Sequence, residues 1–411
     1  MNLLRDHDFR RLFLADSASQ VGTQVLMLAL PLVAVTALRA TPFEMGLLAA
    51  CETMAFAVIG LPAGAIVDRL RRRSVMIVSD WGRALAMASV PVAWWLDFLT
   101  IYQLYGVALV LGVFTVFFDV SYQSYLPHLV EREQLVKGNS TLEVVRTIAQ
   151  LGGPSAGGYL IQVVTAPFAV LVTVAGFAWS ALCLTGIRKR EERQERRADR
   201  HLGREIMEGL RFVLGHRLLR RIAGCTGTAN FFNAVAFSMF MLLLAGELGL
   251  SAGAIGLITA AAGLGGLAGA AVAAKVAARV GQGPAMWLSI GLTAPFGFAL
   301  PWAQADWRLA LVVLAQFTYG FGVVIYNVTQ LSFRQAATPE PLLGRMNATM
   351  RFLVWGTLPL GGLVGGVLGE TVGVRNAILV GVVGQAVAFL WVFLSPMRTM
   401  RELPVSSHTP R

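Results

Sequence analysis

Three carboxylic acids stand inside long apolar stretches of this chain: Asp16, Glu52 and Asp119. An acid surrounded by hydrocarbon must be neutral, paired or reached by water. A group that passes between those states takes up a proton and gives it back. Glu52 has no basic neighbour in the sequence, so proton carriage is the leading role there. For Asp119 a structural pairing with a nearby arginine ranks slightly ahead. Asp16 lies near the start of its stretch, where a helix dipole alone accounts for an acid. Two acid–base couples, Asp80 with Arg83 and Glu143 with Arg146, are spaced i,i+3 and so share a helix face. Stabilising pairs or gate contacts suit them better than catalysis.

Other chemistry is imitated rather than present. Gly153-Pro154-Ser155-Ala156-Gly157 has the letters of a nucleophile elbow, and the stretch Gly263-Leu264-Gly265-Gly266-Leu267-Ala268 resembles a dinucleotide fingerprint. Both lie within apolar runs with no strand before them, and every histidine falls in a loop or tail, so helix packing accounts for them. None of Lys137, Lys189 and Lys275 is followed by Ser or Thr, which excludes a Walker P-loop. No His-Glu-x-x-His occurs, and Cys51, Cys183 and Cys225 lack metal-ligand spacing. No catalytic residue, metal or cofactor is expected.

The elements that must hold these residues follow from composition. Of 411 residues, 56% are hydrophobic and 14% charged, and mean hydropathy is +0.64. A soluble domain carries about 25% charged residues, so this chain has too little polar surface for water. It reads as an all-α membrane protein with about twelve transmembrane helices of roughly 20 residues each. The net charge of +11 does not signal nucleic acid. Only Arg39, Arg308 and Arg375 fall in loops on one side, and nearly all other basic residues lie opposite or in the tails. That asymmetry puts both termini in the cytoplasm, with a basic inner face suited to anionic lipids. Arg10 and Arg11 precede a first stretch long enough to span, so no cleavable signal peptide is expected.

The chain divides into an N-terminal six-helix bundle over 1–187, a cytoplasmic linker over 188–217, a C-terminal six-helix bundle over 218–397 and a cytoplasmic tail over 398–411. The linker opens on a charged run and continues with Ile206, Met207, Leu210, Val213 and Leu214 at helical spacing, the pattern of a helix lying along the membrane surface. The halves are copies. Gly60 and Gly265, Gly64 and Gly269, Pro154 and Pro359, and Gly157 and Gly362 keep one offset of 205 residues.

Between the second and third stretches stands Gly64-Ala-Ile-Val-Asp68-Arg69-Leu-Arg71-Arg72-Arg73. This resembles the signature loop of the major facilitator superfamily. Gly64, Asp68, Arg69, Arg72 and Arg73 match, and Arg71 stands where that family usually has glycine. In the fifth stretch Gly153, Pro154, Gly157 and Gly158 resemble the Gly-Pro-x-x-Gly-Gly core of its antiporter branches, with Ala149 where a further glycine is common. The phrase from Phe118 through Tyr125, Pro127 and Asn139 to Glu143 and Arg146, with Glu205 to Val213 later, is similar to the branch of the enterobactin exporter and macrolide efflux proteins. The fourth stretch lacks the mid-span arginine of some antiporters in this superfamily.

The resemblance implies two pseudo-symmetric bundles working by alternating access around a midplane site. It implies a secondary active transporter in the plasma membrane, functional as a monomer, that exports a small amphipathic molecule in exchange for protons. A proton-linked importer is the alternative, and a membrane-embedded enzyme a weaker one. Polarity and position mark Gln20, Gln24, Phe231, Asn233, Tyr326 and Asn327, together with Glu52, as candidates to line the substrate cavity. In the family the loop acid meets a helix N-terminus, an arrangement that favours a carboxylate. Asp68→Asn is therefore expected to impair transport while expression and folding survive. Transport in reconstituted vesicles checks this, and an unchanged rate would count against a gate at Asp68.

Overall fold

The computed structural model describes residues 3–67, 70–130, 134–189, 202–339 and 342–402. The described residues are helical throughout, in the order α1 (His7–Leu32), α2 (Pro42–Val67), α3 (Arg72–Trp95), α4 (Ile101–Leu129), α5 (Leu135–Val164), α6 (Ala166–Thr185), α7 (Leu202–Gly215), α8 (Arg217–Met241), α9 (Ala252–Val280), α10 (Gln282–Thr293), α11 (Leu309–Ala336), α12 (Leu343–Trp355), α13 (Thr357–Val372), α14 (Val374–Val387) and α15 (Leu390–Phe393). Hydrocarbon offers backbone groups no partner, so a spanning segment must satisfy them internally, and the helix does that.

Ten stretches among the described residues are long and apolar enough to cross a membrane. Two further elements belong to the sequence count of about twelve but fall outside that measure. The first, α5, runs for 30 residues and carries charged groups in its first half. The second, α10, has 12 residues and continues as the 3-10 turn Ala294–Ala299, which contains Pro295.

Local chemistry sets the helix ends. The Asp6 carboxylate accepts from the N–H groups of Asp8 and Phe9 at 3.0 and 2.8 Å, capping α1. Thr41 and Glu44 form a reciprocal box before α2: the Thr41 N–H donates to Glu44 at 2.8 Å, and the Glu44 N–H donates to the Thr41 hydroxyl at 3.3 Å. α1 and α8 both end in a π-helical turn, Val33–Ala37 and Leu242–Glu247, as expected of duplicated elements.

The chain forms two compact units, Met1–Ala198 with Leu244–Ala260, and Asp199–Leu243 with Ala261–Arg411. In the first, α1 packs on α5 and α6, α3 on α4 and α6, and α2 on α4. Its core gathers Phe9, Leu12, Met76, Phe118, Tyr125 and Leu184. In the second, α8 packs on α13 and α14, α10 on α11, and α7 on α12. The core there gathers Val213, Cys225, Tyr326, Phe333 and Met350. The apolar pattern of the linker falls on the helix α7, and residues 190–201, which hold the charged run, lie outside the described residues.

The repeat is visible in how helix pairs touch. Gly157 of α5 sits against Val25 of α1, where an added Cβ would lie 3.3 Å from the Val25 Cα. In the second unit, Gly361 and Gly365 of α13 sit against the α8 backbone at Phe231 and Val235. Single residues turn one helix into the next. Gly281 (φ 100, ψ 157) joins α9 to α10, and Gly373 (φ 91, ψ 156) joins α13 to α14. Between α5 and α6 the same conformation falls on Thr165 (φ 70, ψ 157), whose side chain is exposed. A β-branched residue there is strained, by about 1–3 kcal/mol. Thr165→Gly is expected to raise the midpoint of thermal unfolding in detergent. A fall would show that the threonine side chain holds something in place.

Candidate functional site

The signature loop is anchored by its last arginine. Asp68 and Arg69 lie outside the described residues. No atom of the described residues lies within 4 Å of where a Gly64 Cβ would sit. Arg72 opens α3. Arg73 reaches across to the end of α6 and donates to the carbonyls of Leu184 (2.9 Å) and Thr185 (2.5 Å). These are among the last carbonyls of α6, beyond which helical donors run out, although the Ile187 N–H reaches Leu184 at 3.3 Å; a cation there adds hydrogen bonds and suits the helix dipole. Immediately beyond, the Asp8 carboxylate accepts from the N–H groups of Arg188 and Lys189, each at 2.9 Å. Arg73 and Asp8 together tie the ends of α1, α3 and α6.

Asp80 and Arg83 form the pair their spacing predicts, buried to 0% and 4% side-chain exposure. The guanidinium also lies over two rings, Phe118 of α4 and Phe177 of α6, at 4.3 Å from each centroid. One carboxylate and two π faces compensate the buried cation, while Asp80 Oδ2 and Arg83 Nε have no hydrogen-bond partner among the described residues. Glu143 and Arg146 behave differently. Both are exposed, and no ion pair joins them among the described contacts.

Arg146 instead contributes to a polar cluster drawn from three helices. Asp16 is 2% exposed. Its carboxylate accepts from the Gln20 amide at 3.4 Å, and Tyr122, Arg146 and Asp119 are close enough to act on it electrostatically. α1 begins at His7, so Asp16 is well past the first turn, and the helix dipole does not account for this acid. The proximity of Tyr122 to Asp16 was not visible in the sequence. Its only signal was the i,i+3 spacing that puts Tyr122 on one face of α4 with Asp119.

Glu52 stands apart from that cluster. It lies where α2 meets α4, and its backbone carbonyl packs against Gly112. No hydrogen bond or ion pair reaches its carboxyl group among the described contacts.

The antiporter-like segment of α5 is packed on two sides. Gly153 leaves room for the Gln24 side chain of α1, and Gly157 for Val25. On its other side Gly158 meets Ala252 and Gly256 of α9, while the Pro154 carbonyl faces Gly256. Gly158 has less room than Gly157, because a Cβ there would run into the Ala252 carbonyl oxygen, whereas at Gly157 it would lie 3.3 Å from the Val25 Cα. A groove of about 400 Å³ lies along this contact, lined by Ser155, Tyr159, Gln162, Ser251 and Leu257.

The cavity candidates are dispersed. Gln20 joins the Asp16 cluster. Gln24 is 7% exposed and packed against Gly153. Tyr326 is 4% exposed, sharing a hydrogen bond of 2.7 Å with the Thr226 hydroxyl inside the core of the second unit. Phe231 and Asn233 are half-buried on α8, and Asn327 is exposed on α11. Asn230, which sequence reasoning passed over, donates to the Val354 carbonyl at 3.3 Å.

The family model of the Major Facilitator Superfamily matches residues 12–361. The chain belongs to that superfamily. It is a multi-pass membrane transporter and not an enzyme. It is 28% identical over 385 residues to the multidrug efflux pump Tap of Mycolicibacterium fortuitum, covering 89% of each chain. It is 26% identical over 348 residues to the enterobactin exporter EntS of Escherichia coli O1:K1 / APEC, covering 84% of this chain and 82% of that one. Among solved structures, the nucleoside transporter NupG matches at TM-score 0.70 and 13% identity, over 96% of this chain and 98% of that one. A bacterial homologue of the human lysosomal transporter Spinster matches at TM-score 0.71 and 13% identity, over 97% and 98%. At that identity the structural matches speak for the fold.

Within this transporter, the duplicated positions show where ionisable chemistry is kept. Moving 205 residues on, Glu52, Asp80, Arg83 and Asp119 correspond to Leu257, Ala285, Leu288 and Val324. The glycine frame was retained in both halves, while these charged groups belong to the first. Removing one partner of a buried ion pair leaves an uncompensated charge, at a cost of about 3–5 kcal/mol. Arg83→Met is therefore expected to lower the yield of folded protein sharply, and adding Asp80→Leu should recover much of it. Size-exclusion profiles of the solubilised variants check this. A double variant no better than the single would assign the loss to the Phe118 and Phe177 contacts.

Proposed function

We propose that this transporter exports a small amphipathic molecule, such as a drug, siderophore or natural product, in exchange for protons. Its two six-helix bundles, 1–187 and 218–397, would alternate access to a site between them, with both termini in the cytoplasm and residues 188–217 as the link. Export is supported by the efflux relatives, whose similarity runs over more than four-fifths of the chain. The observation that carries the coupling is the Asp16 cluster. A carboxylate needs donors and a counter-charge to hold a negative charge away from water. Asp16 has Tyr122, Gln20 and Arg146 for that purpose. Glu52 has no such set among the described contacts, so in this reading it ranks behind Asp16 as carrier. Asp119, close to Asp16, is positioned to pass a proton along.

In this scheme Asp16 is protonated from the outer side and deprotonates inward, and substrate leaves on the reverse step. Asp16→Asn fixes a neutral group of similar shape. Substrate-induced proton movement in proteoliposomes should then be lost, while substrate binding to the purified protein persists. Glu52→Gln is expected to keep the normal ratio of protons to substrate. Should Asp16→Asn move protons at the wild-type ratio and Glu52→Gln fail to, the carrier is Glu52 instead.

A further inference from the structure

Helix α7 has two faces, and one of them is occupied. Val213 is fully buried. Gly209 lies so near Arg345 and Thr349 of α12 that no side chain fits there, and Glu208 pairs with Arg345 at 2.7 Å. The opposite stripe carries Met207, Leu210 and Leu214 at i, i+3 and i+7. Met207 is 49% exposed and Leu214 46%. Arg211 flanks this stripe and is exposed, and exposed Arg217 and Arg220 follow on the first turn of α8.

One residue, His216, separates α7 from α8. It is extended (φ −81, ψ 117) and caps α8, its ring nitrogen accepting from the Leu219 N–H at 3.4 Å. Burial holds it below the ordinary histidine pKa, in keeping with an uncharged cap. Arg217–Glu247 is long and apolar enough to cross a membrane. A helix that ends one residue before a span sits at the level of the lipid headgroups, where an apolar stripe edged by arginines matches the chemistry of an anionic interface.

We infer that the outer stripe of α7 docks on anionic phospholipid of the cytoplasmic leaflet, with Met207 and Leu214 at the acyl boundary and Arg211, Arg217 and Arg220 against lipid phosphates. The inference goes beyond the exchange reaction. It rests on the orientation proposed above, and its test reads no transport. Because α7 is locked to α12 through Gly209 and Glu208, lipid bound on its outer side also steadies the start of α12.

Cys51, Cys183 and Cys225 are all free and buried, so a solvent-sensitive thiol probe can be directed to Met207→Cys or Leu214→Cys in the folded, full-length protein. Gly215→Cys, exposed and off the stripe, is the control. The variants are reconstituted into vesicles of phosphatidylcholine alone or mixed with phosphatidylglycerol, with and without brominated acyl chains. Probes at 207 and 214 are expected to shift to the blue and to be quenched by bromine, more strongly with phosphatidylglycerol, while the control is not. Adding Arg211→Gln and Arg220→Gln should remove that dependence on phosphatidylglycerol. Water-like, unquenched emission from both stripe positions would overturn the inference. So would equal quenching in the two vesicle types, which would mean a neutral apolar contact, or emission that changes with the amount of protein per lipid, which would mean contact with a second copy.

Discussion

In lipid, a helix gains little by turning apolar side chains toward another helix, because the acyl chains are equally apolar. Association rests on how closely backbones approach. That constraint explains why the 43 glycines do so much of the structural work here. Gly176 of α6 lies against the Ala18 carbonyl of α1, and Thr173 bridges the same pair by donating to the Gly22 carbonyl at 3.0 Å. In the second unit, Gly320 and Gly265 bring α11 and α9 into contact across Ala262 and Phe317. Small residues let the helices close in, and the closeness then fixes which polar side chains share a neighbourhood.

The same scarcity of water governs the charges. Each ionisable group within a span must find compensation in the helices beside it. Arg83 does so with Asp80 and two phenylalanine rings. Asp16 does so with a tyrosine, a glutamine and a distant arginine. These are different solutions with different consequences. The first is a closed, nearly dry pair that holds α3, α4 and α6 together. The second draws on groups from α1, α4 and α5. Glu52, Asp80, Arg83 and Asp119 have apolar counterparts in the repeat, whereas Asp16 and Arg146 correspond to Arg221 and Arg351.

Arg73 joins these two themes. As the last residue of the signature loop it could be taken for part of a gate. Its described bonds go to the carbonyl end of α6, where it supplies donors that the helix itself cannot. A residue matching a family motif can therefore also be one of the cations that terminates a helix.

Much was legible in the sequence because membrane insertion writes itself into composition. Long apolar runs, sparse charge and basic loops follow from the cost of polar groups in hydrocarbon, and glycine and proline at a constant offset disclosed the repeat. The Asp80–Arg83 pair was legible too, since three residues on a helix is a local distance. The tertiary structure decided what depends on meeting across helices. It brought Tyr122 and Arg146 within electrostatic reach of Asp16, put Gln24 and Tyr326 into packed interiors, and set Phe118 and Phe177 over Arg83. Along one helix, spacing dictates neighbours; between helices, neighbours follow from the depth and rotation at which small residues let two backbones meet, and no periodicity within a single helix encodes that.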